Sequence, residues 1–205
     1  MGRTVDDVVK LHGPSADKTL QAKFTKMGVK YPPKKIAFLA FKQERRFELW
    51  SEDGGKWHFV HEYPILGASG MAGPKLREGD LQVPEGIYQI TVLNPNSSYH
   101  LSMKLSYPNA FDLNKAQAEK RKHLGGDIFI HGKNVSIGCL ALGDAAIEEL
   151  FTFVARLGKE NVEVIVAPND FRVRKGLPQL RYEPTWLPEL YDHLRKELSR
   201  FSLQG

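Results

Sequence analysis

One cysteine in 205 residues, Cys139, excludes an intrachain disulfide framework and any zinc site built from several thiolates. No apolar run approaches the roughly 18 residues that a membrane-spanning helix needs. The first residues, Met1 to Asp7, lack the apolar core of a secretory leader, so export would need a leader outside this sequence. There is no H-E-x-x-H or C-x-x-C pair, which leaves His100, His131 and Cys139 chemically able to bind zinc but without a zinc signature. No internal repeat is present. Basic residues are dispersed (Lys34-Lys35, Arg45-Arg46, Lys120-Arg121-Lys122, Arg172 to Lys175) and not interleaved with aromatics, so a nucleic-acid backbone is not the indicated partner.

What is present is ordinary globular composition: 41% hydrophobic, 26% charged, 18 glycines and 12 prolines, enough for one good core. Against 24 acidic residues there are 29 basic ones, a net charge of +5, which suits a carboxylate-rich polymer.

Residues 1–35 read as a separate helical extension, with helices at 5–11 and 17–27 parted by Gly13-Pro14-Ser15. From Ile36 the texture becomes β. Strands are expected at 36–41, 46–50, 56–63, 87–93 and 99–107, with a hairpin turn at Ser51 to Gly55 and a loop at Asn94 to Ser98. The Gly- and Pro-rich segment 67–86 is long for an irregular connection and is expected to be a mobile flap over the thiol. A polar helix at 112–122 and a buried strand at 127–130 follow. Ile147, Leu150, Phe151, Val154 and Leu157 share one face of a helix at 144–157, with Asp144 as its expected cap. A last strand occupies 162–166, and Leu187, Leu190, Tyr191, Leu194, Leu198 and Phe201 make a stripe that packs a C-terminal tail on the domain. The fold expected is mostly β (α+β), with divisions at 1–35, 36–170 and 171–205.

The run Ile130-His131-Gly132-Lys133-Asn134-Val135-Ser136-Ile137-Gly138-Cys139 places a histidine and the lone thiol in one glycine-bearing loop at a strand end. A thiol is a useful nucleophile at neutral pH only when a neighbour takes its proton, and imidazole does so. Other blocks stand in order upstream: Gly73-Pro74-Lys75, Glu78-Gly79-Asp80, Pro84-Glu85-Gly86-Ile87-Tyr88, Asn94-Pro95-Asn96-Ser97-Ser98-Tyr99-His100 and Tyr107-Pro108-Asn109-Ala110-Phe111-Asp112.

Together these residues, over about 36–168, resemble the YkuD-type L,D-transpeptidases and within them the YafK/DpaA-like subgroup. The resemblance implies a β-sandwich, a cysteine acyl-transfer enzyme of the periplasm acting on peptidoglycan stem peptides, and no cofactor or metal. It implies Cys139 as nucleophile, His131 as proton acceptor and donor, and the Gly132 carbonyl as the group orienting His131. The backbone N–H groups of Gly138 and Cys139 would form the oxyanion hole, and Ser136, Tyr99, His100 and Lys75 would contact substrate. Two positions depart from the wider family, Ile137 where many members carry histidine and Ala141 where many carry arginine or asparagine. The thioester's fate is left open: cross-linking, attachment of an outer-membrane lipoprotein, lipoprotein release, or removal of D-alanine.

Simpler readings stand beside these. Cys139 is either the nucleophile or a buried structural thiol, and His131 either the base or a hydrogen-bonded strand-end residue. Ser136 caps the loop, binds substrate, or does both, His100 lines a cleft or sits at an edge, and Lys75 and Arg77 are solvated or hold a carboxylate. His12, His58, His61, His123 and His193 read as surface or packing residues. As a whole, the chain is either such an enzyme or a non-catalytic peptidoglycan-binding module on the same fold, with a general cysteine peptidase a third reading.

Overall fold

The computed structural model describes residues 2–174, 176, 180 and 182–202. Lys175 of the basic run and the tail end 203–205 lie outside the described residues. Among the described residues nine strands form one hydrogen-bonded succession: β1 Lys35–Phe41, β2 Arg46–Asp53, β3 Lys56–Pro64, β4 Gly67–Ala68, β5 Gly86–Ser97, β6 His100–Leu105, β7 Phe129–His131, β8 Leu140–Ala141 and β9 Val162–Ala167, in spatial order β3-β2-β1-β9-β5-β6-β7-β8-β4. The helices are α1 Val5–Lys26, α2 Ala110–Ala118, α3 Asp144–Leu157 and α4 Leu187–Leu198.

Strands β1 and β9 pair in parallel at the centre, and their sequences explain why. Both are almost wholly apolar, as a strand covered on two faces must be. Alternate residues of each enter different cores. Ile36, Phe38 and Ala40, with Val162, Val164 and Val166, join a first core that also takes Leu101, Met103, Leu105, Ile130 and Leu140 from the other half of the strand succession. Ala37, Leu39 and Phe41, with Ile165 and Ala167, join a second core under α4. Long β5 belongs to both halves, pairing with β9 through 86–89 and with β6 beyond Ile90, and so folds one half over the other.

Helix α3 fills the first core through Ile147, Leu150, Phe151 and Val154, and α4 seals the second through Leu187, Leu190, Tyr191, Leu194 and Leu198. Burying a side chain of this kind contributes about 1.5–3 kcal/mol.

Three expectations change. The N-terminal segment is one helix with Pro14 inside it, not two helices, and it is not separate. Val8, Leu20 and Phe24 are buried in the first core, and Lys23 pairs with Glu149 of α3 at 2.6 Å, so both halves are held across the proline. Strand β5 runs through Asn94-Pro95-Asn96 and turns only at Ser98-Tyr99, because a register shift absorbs the proline. Asp144 does not cap α3. Gly143 is the N-cap residue, and Asp144 Oδ1 instead accepts the Lys133 N–H at 2.8 Å.

Segment 67–86 is tied down at its base. Lys42 Nζ donates to the carbonyls of Gly73 and Val83 and to buried Glu85, whose other oxygen accepts from Tyr191 Oη at 2.8 Å. The segment's exposed residues fall at Gly70-Met71 and at 77–79 and 81. Among the described residues no helix is long and apolar enough to cross a membrane.

Candidate active site

Two short parallel strands bring the loop's ends together. Ile130 and His131 of β7 pair with Leu140 and Ala141 of β8, so Cys139, one residue before β8, returns alongside the end of β7. The loop is pinned on both sides: Leu142 N donates to His131 O and Gly143 N to Lys133 O, each at 2.9 Å, while Lys133 Nζ reaches the Ser98 carbonyl at 2.7 Å. Gly132 is required here, since a Cβ would lie 2.6 Å from Asp144 Oδ1 and 2.8 Å from the Tyr99 carbonyl oxygen.

His131 is buried, and its Nδ1 is 2.6 Å from the Gly132 carbonyl oxygen. A carbonyl only accepts, so Nδ1 carries the proton and Nε2 is left as the basic nitrogen. The Tyr99 ring lies against the imidazole, centroids 4.5 Å apart and tilted 35°. Burial lowers the His131 pKa below its usual 6.5, opposed by the Gly132 bond. Burial likewise raises the Cys139 pKa above 9, opposed first by the Phe129 backbone N–H and less by Lys75, with Asp127 reinforcing the rise. Among the described residues the thiol's hydrogen-bond partner is the Asp127 carbonyl at 3.7 Å, not His131. The resting pair is therefore thiol and neutral imidazole.

Ser136 organises the thiol's own backbone. Its Oγ donates to the Cys139 carbonyl at 2.6 Å and accepts from Cys139 N at 2.9 Å and Gly138 N at 3.3 Å. It caps the loop, and the N–H groups expected to form the oxyanion hole point at it in this structure. Gly138 sits at φ +122°, a backbone that side chains rarely adopt.

His131 and Cys139 share the wall of one cavity of about 450 Å³. Tyr99 and Lys75 line it too, whereas Ser136 and His100 do not. Lys75 is buried and bonded to Asp80 Oδ1 at 2.6 Å and to the Arg77 carbonyl at 3.0 Å, so it is neither a solvated charge nor a free cation. His100 is an edge residue that bonds Glu148 through Nε2 at 2.7 Å. The sequence reading did not single out Glu78, Asp127, Ser102 or Ile137 as lining residues. Ser102 stands opposite His131 in the β6–β7 register, a relation that strand pairing alone reveals. Ile137 is 72% exposed, an apolar rim of the cavity.

The side chains that gather with metal-ligating atoms within 4.8 Å of one another are His12, His100 and Glu148, among the described residues, and not the set His100, His131 and Cys139.

Residues 36–166 match the YkuD family, described as the L,D-transpeptidase catalytic domain. YafK of Escherichia coli, from two strains, is 37% identical over 133 residues, which cover 62% of this chain and 52% of the relative. The chain thus spans about half the length of the curated relatives it matches. Two crystal structures of the helical cell shape determining protein Pgp2 from Campylobacter jejuni share the fold. One, a mutant form, gives a TM-score of 0.54 at 22% identity, covering 90% of this chain and 62% of that one; the other gives 0.53 at 19%, covering 90% and 78%.

Proposed function

This chain belongs to the YkuD family of L,D-transpeptidase catalytic domains, and on that footing we propose that it acts on peptidoglycan stem peptides by cysteine acyl transfer in the periplasm. One observation carries the assignment of roles. The Gly132 carbonyl holds Nδ1–H of His131 and leaves Nε2 basic on a residue that shares a cavity wall with the only thiol.

In this reading Cys139 Sγ attacks the carbonyl carbon of the meso-diaminopimelate residue while its proton passes to His131 Nε2. The bond to D-alanine breaks, the imidazolium returns its proton to the departing amine, and a thioester remains on Cys139. An amine or water then attacks the thioester, gives its proton to His131 and frees the thiol. The Gly138 and Cys139 N–H groups exchange Ser136 Oγ for the developing oxyanion, and losing one such donor typically costs about 100- to 1000-fold in rate. The cavity's lining, with the carboxylates of Glu78 and Asp127 and the amides of Asn94 and Asn96, suits a stem peptide that carries amines.

Transpeptidation and hydrolysis start from the same thioester. Hydrolysis covers release of an envelope lipoprotein as well as removal of D-alanine; the leaving amine, the lipoprotein's lysine or D-alanine, separates these two, and access of an amine or of water separates transpeptidation from hydrolysis. The second reading, a binding module without chemistry, draws on the thiol's bond to the Asp127 carbonyl and its raised pKa. Intact-protein mass spectrometry after incubation with tetrapeptide stems separates the two: the enzyme gains an adduct that hydroxylamine removes, whereas the module gains none.

A further inference from the structure

Outside the cavity, three side chains distant in sequence meet at one point: His12 in the middle of α1, His100 at the first residue of β6 and Glu148 on α3. The carboxylate is shared. Oε1 lies 2.7 Å from His100 Nε2 and Oε2 lies 3.2 Å from His12 Nδ1, with the two rings edge to face at 6.0 Å. The side chains keep 18%, 24% and 31% of their exposure for His12, His100 and Glu148, so the group is sheltered yet open to water on one side.

Each imidazole turns one ring nitrogen to the carboxylate, His12 through Nδ1 and His100 through Nε2, while His12 Nε2, on the other side of its ring, is buried without a hydrogen-bond partner among the described residues. His100 holds φ +75°, the left-handed region where histidine is commoner than most side chains, and this backbone turns its ring toward the group. Two imidazoles and one carboxylate, open to water, are the donor set that zinc takes when it keeps a position for solvent. Imidazole donors select transition ions over calcium or magnesium.

We propose that His12, His100 and Glu148 form a binding site for a divalent transition-metal ion of the zinc class, one that clamps α1 to the β5–β6 turn and to α3. The clamp acts next to the cavity, because Tyr99, which precedes His100, is the ring packed on His131. The site stands independently of the catalytic reading, since its ligands are not the thiol or its base.

The test uses the full chain carrying Cys139→Ala, which removes the thiol as a competing ligand, with no affinity-tag histidines. Zinc is titrated against a chromophoric chelator, and cobalt(II) reports the ligands. The expected result is one ion per chain and a cobalt d–d spectrum of low coordination number. Second-shell changes alone weaken metal sites by about 10- to 100-fold, so His12→Asn and Glu148→Gln should each weaken zinc binding by about 100-fold or more. Zinc should also raise the thermal midpoint of the parent and leave that of His12→Asn unmoved. Affinity unchanged in both variants would overturn the proposal. If the variants do not fold, the parent decides: absence of both stoichiometric binding and a zinc-dependent thermal shift overturns it as well.

Discussion

At the scale of single residues, the chemistry turns on which form His131 and Cys139 take before substrate arrives. Burial pushes the imidazole pKa down and the thiol pKa up, so neither is charged near pH 7. The active form of His131 is the neutral base, and protonation removes it. Turnover on stem peptides should therefore rise with pH through an apparent pKa below 6.5. Iodoacetamide alkylation of the free protein should climb toward and beyond pH 9 without a plateau at neutral pH; such a plateau would mean a preformed thiolate–imidazolium pair. Ser136 makes a separate prediction. Ser136→Ala removes three hydrogen bonds to the thiol loop and should lower stability by about 1–2 kcal/mol while speeding alkylation of Cys139. A raised KM with stability unchanged would mark Ser136 as a substrate contact instead. The thiol and its histidine were legible in sequence because only seven residues, two of them glycines, separate them. His12, His100 and Glu148 were not, since nothing local links an α1 histidine to a strand end and an α3 glutamate.

At the scale of elements, local signals succeeded wherever packing agreed with them. The apolar stripe from Ile147 to Leu157 and the Gly54-Gly55 turn gave α3 and the β2–β3 hairpin directly. They failed where tertiary contacts outweighed them. Pro14 reads as a break, yet α1 continues through it because its buried residues on both sides share one core. Pro14→Ala should restore the N–H that the Lys10 carbonyl lacks. A proline inside a helix costs about 3 kcal/mol and its rigidity in the unfolded chain returns part of that. The expected gain is about 2 kcal/mol, read by urea denaturation. A loss would mean that the helix is built around the proline.

Across the whole molecule, the helices at the two ends complete two cores, α1 the first and α4, the tail expected to pack on the domain, the second. Alternate residues of β1 and β9 face opposite cores, so removing either cover strips one side of the central strands. We expect the chain to unfold in a single transition, and residues 36–170 alone not to fold. Tyr191→Ala, which empties a fully buried site and leaves Glu85 without its hydroxyl donor, should cost about 3–5 kcal/mol. Differential scanning calorimetry checks both, and a separate low-temperature transition for α4 would contradict the two-core account. This arrangement could not be read from hydrophobic stripes, which show that a helix has a buried face but not which core receives it.

The most direct test of the central claim is to incubate the protein with purified muropeptides, both tetrapeptide stems and lipoprotein-linked fragments, beside Cys139→Ala, and to resolve the products by mass spectrometry. The account predicts products cut or joined at the carbonyl of diaminopimelate, as cross-linked dimers, tripeptides with free D-alanine or released lipoprotein remnants, and none from Cys139→Ala. Identical product profiles from the two proteins on every substrate would contradict it.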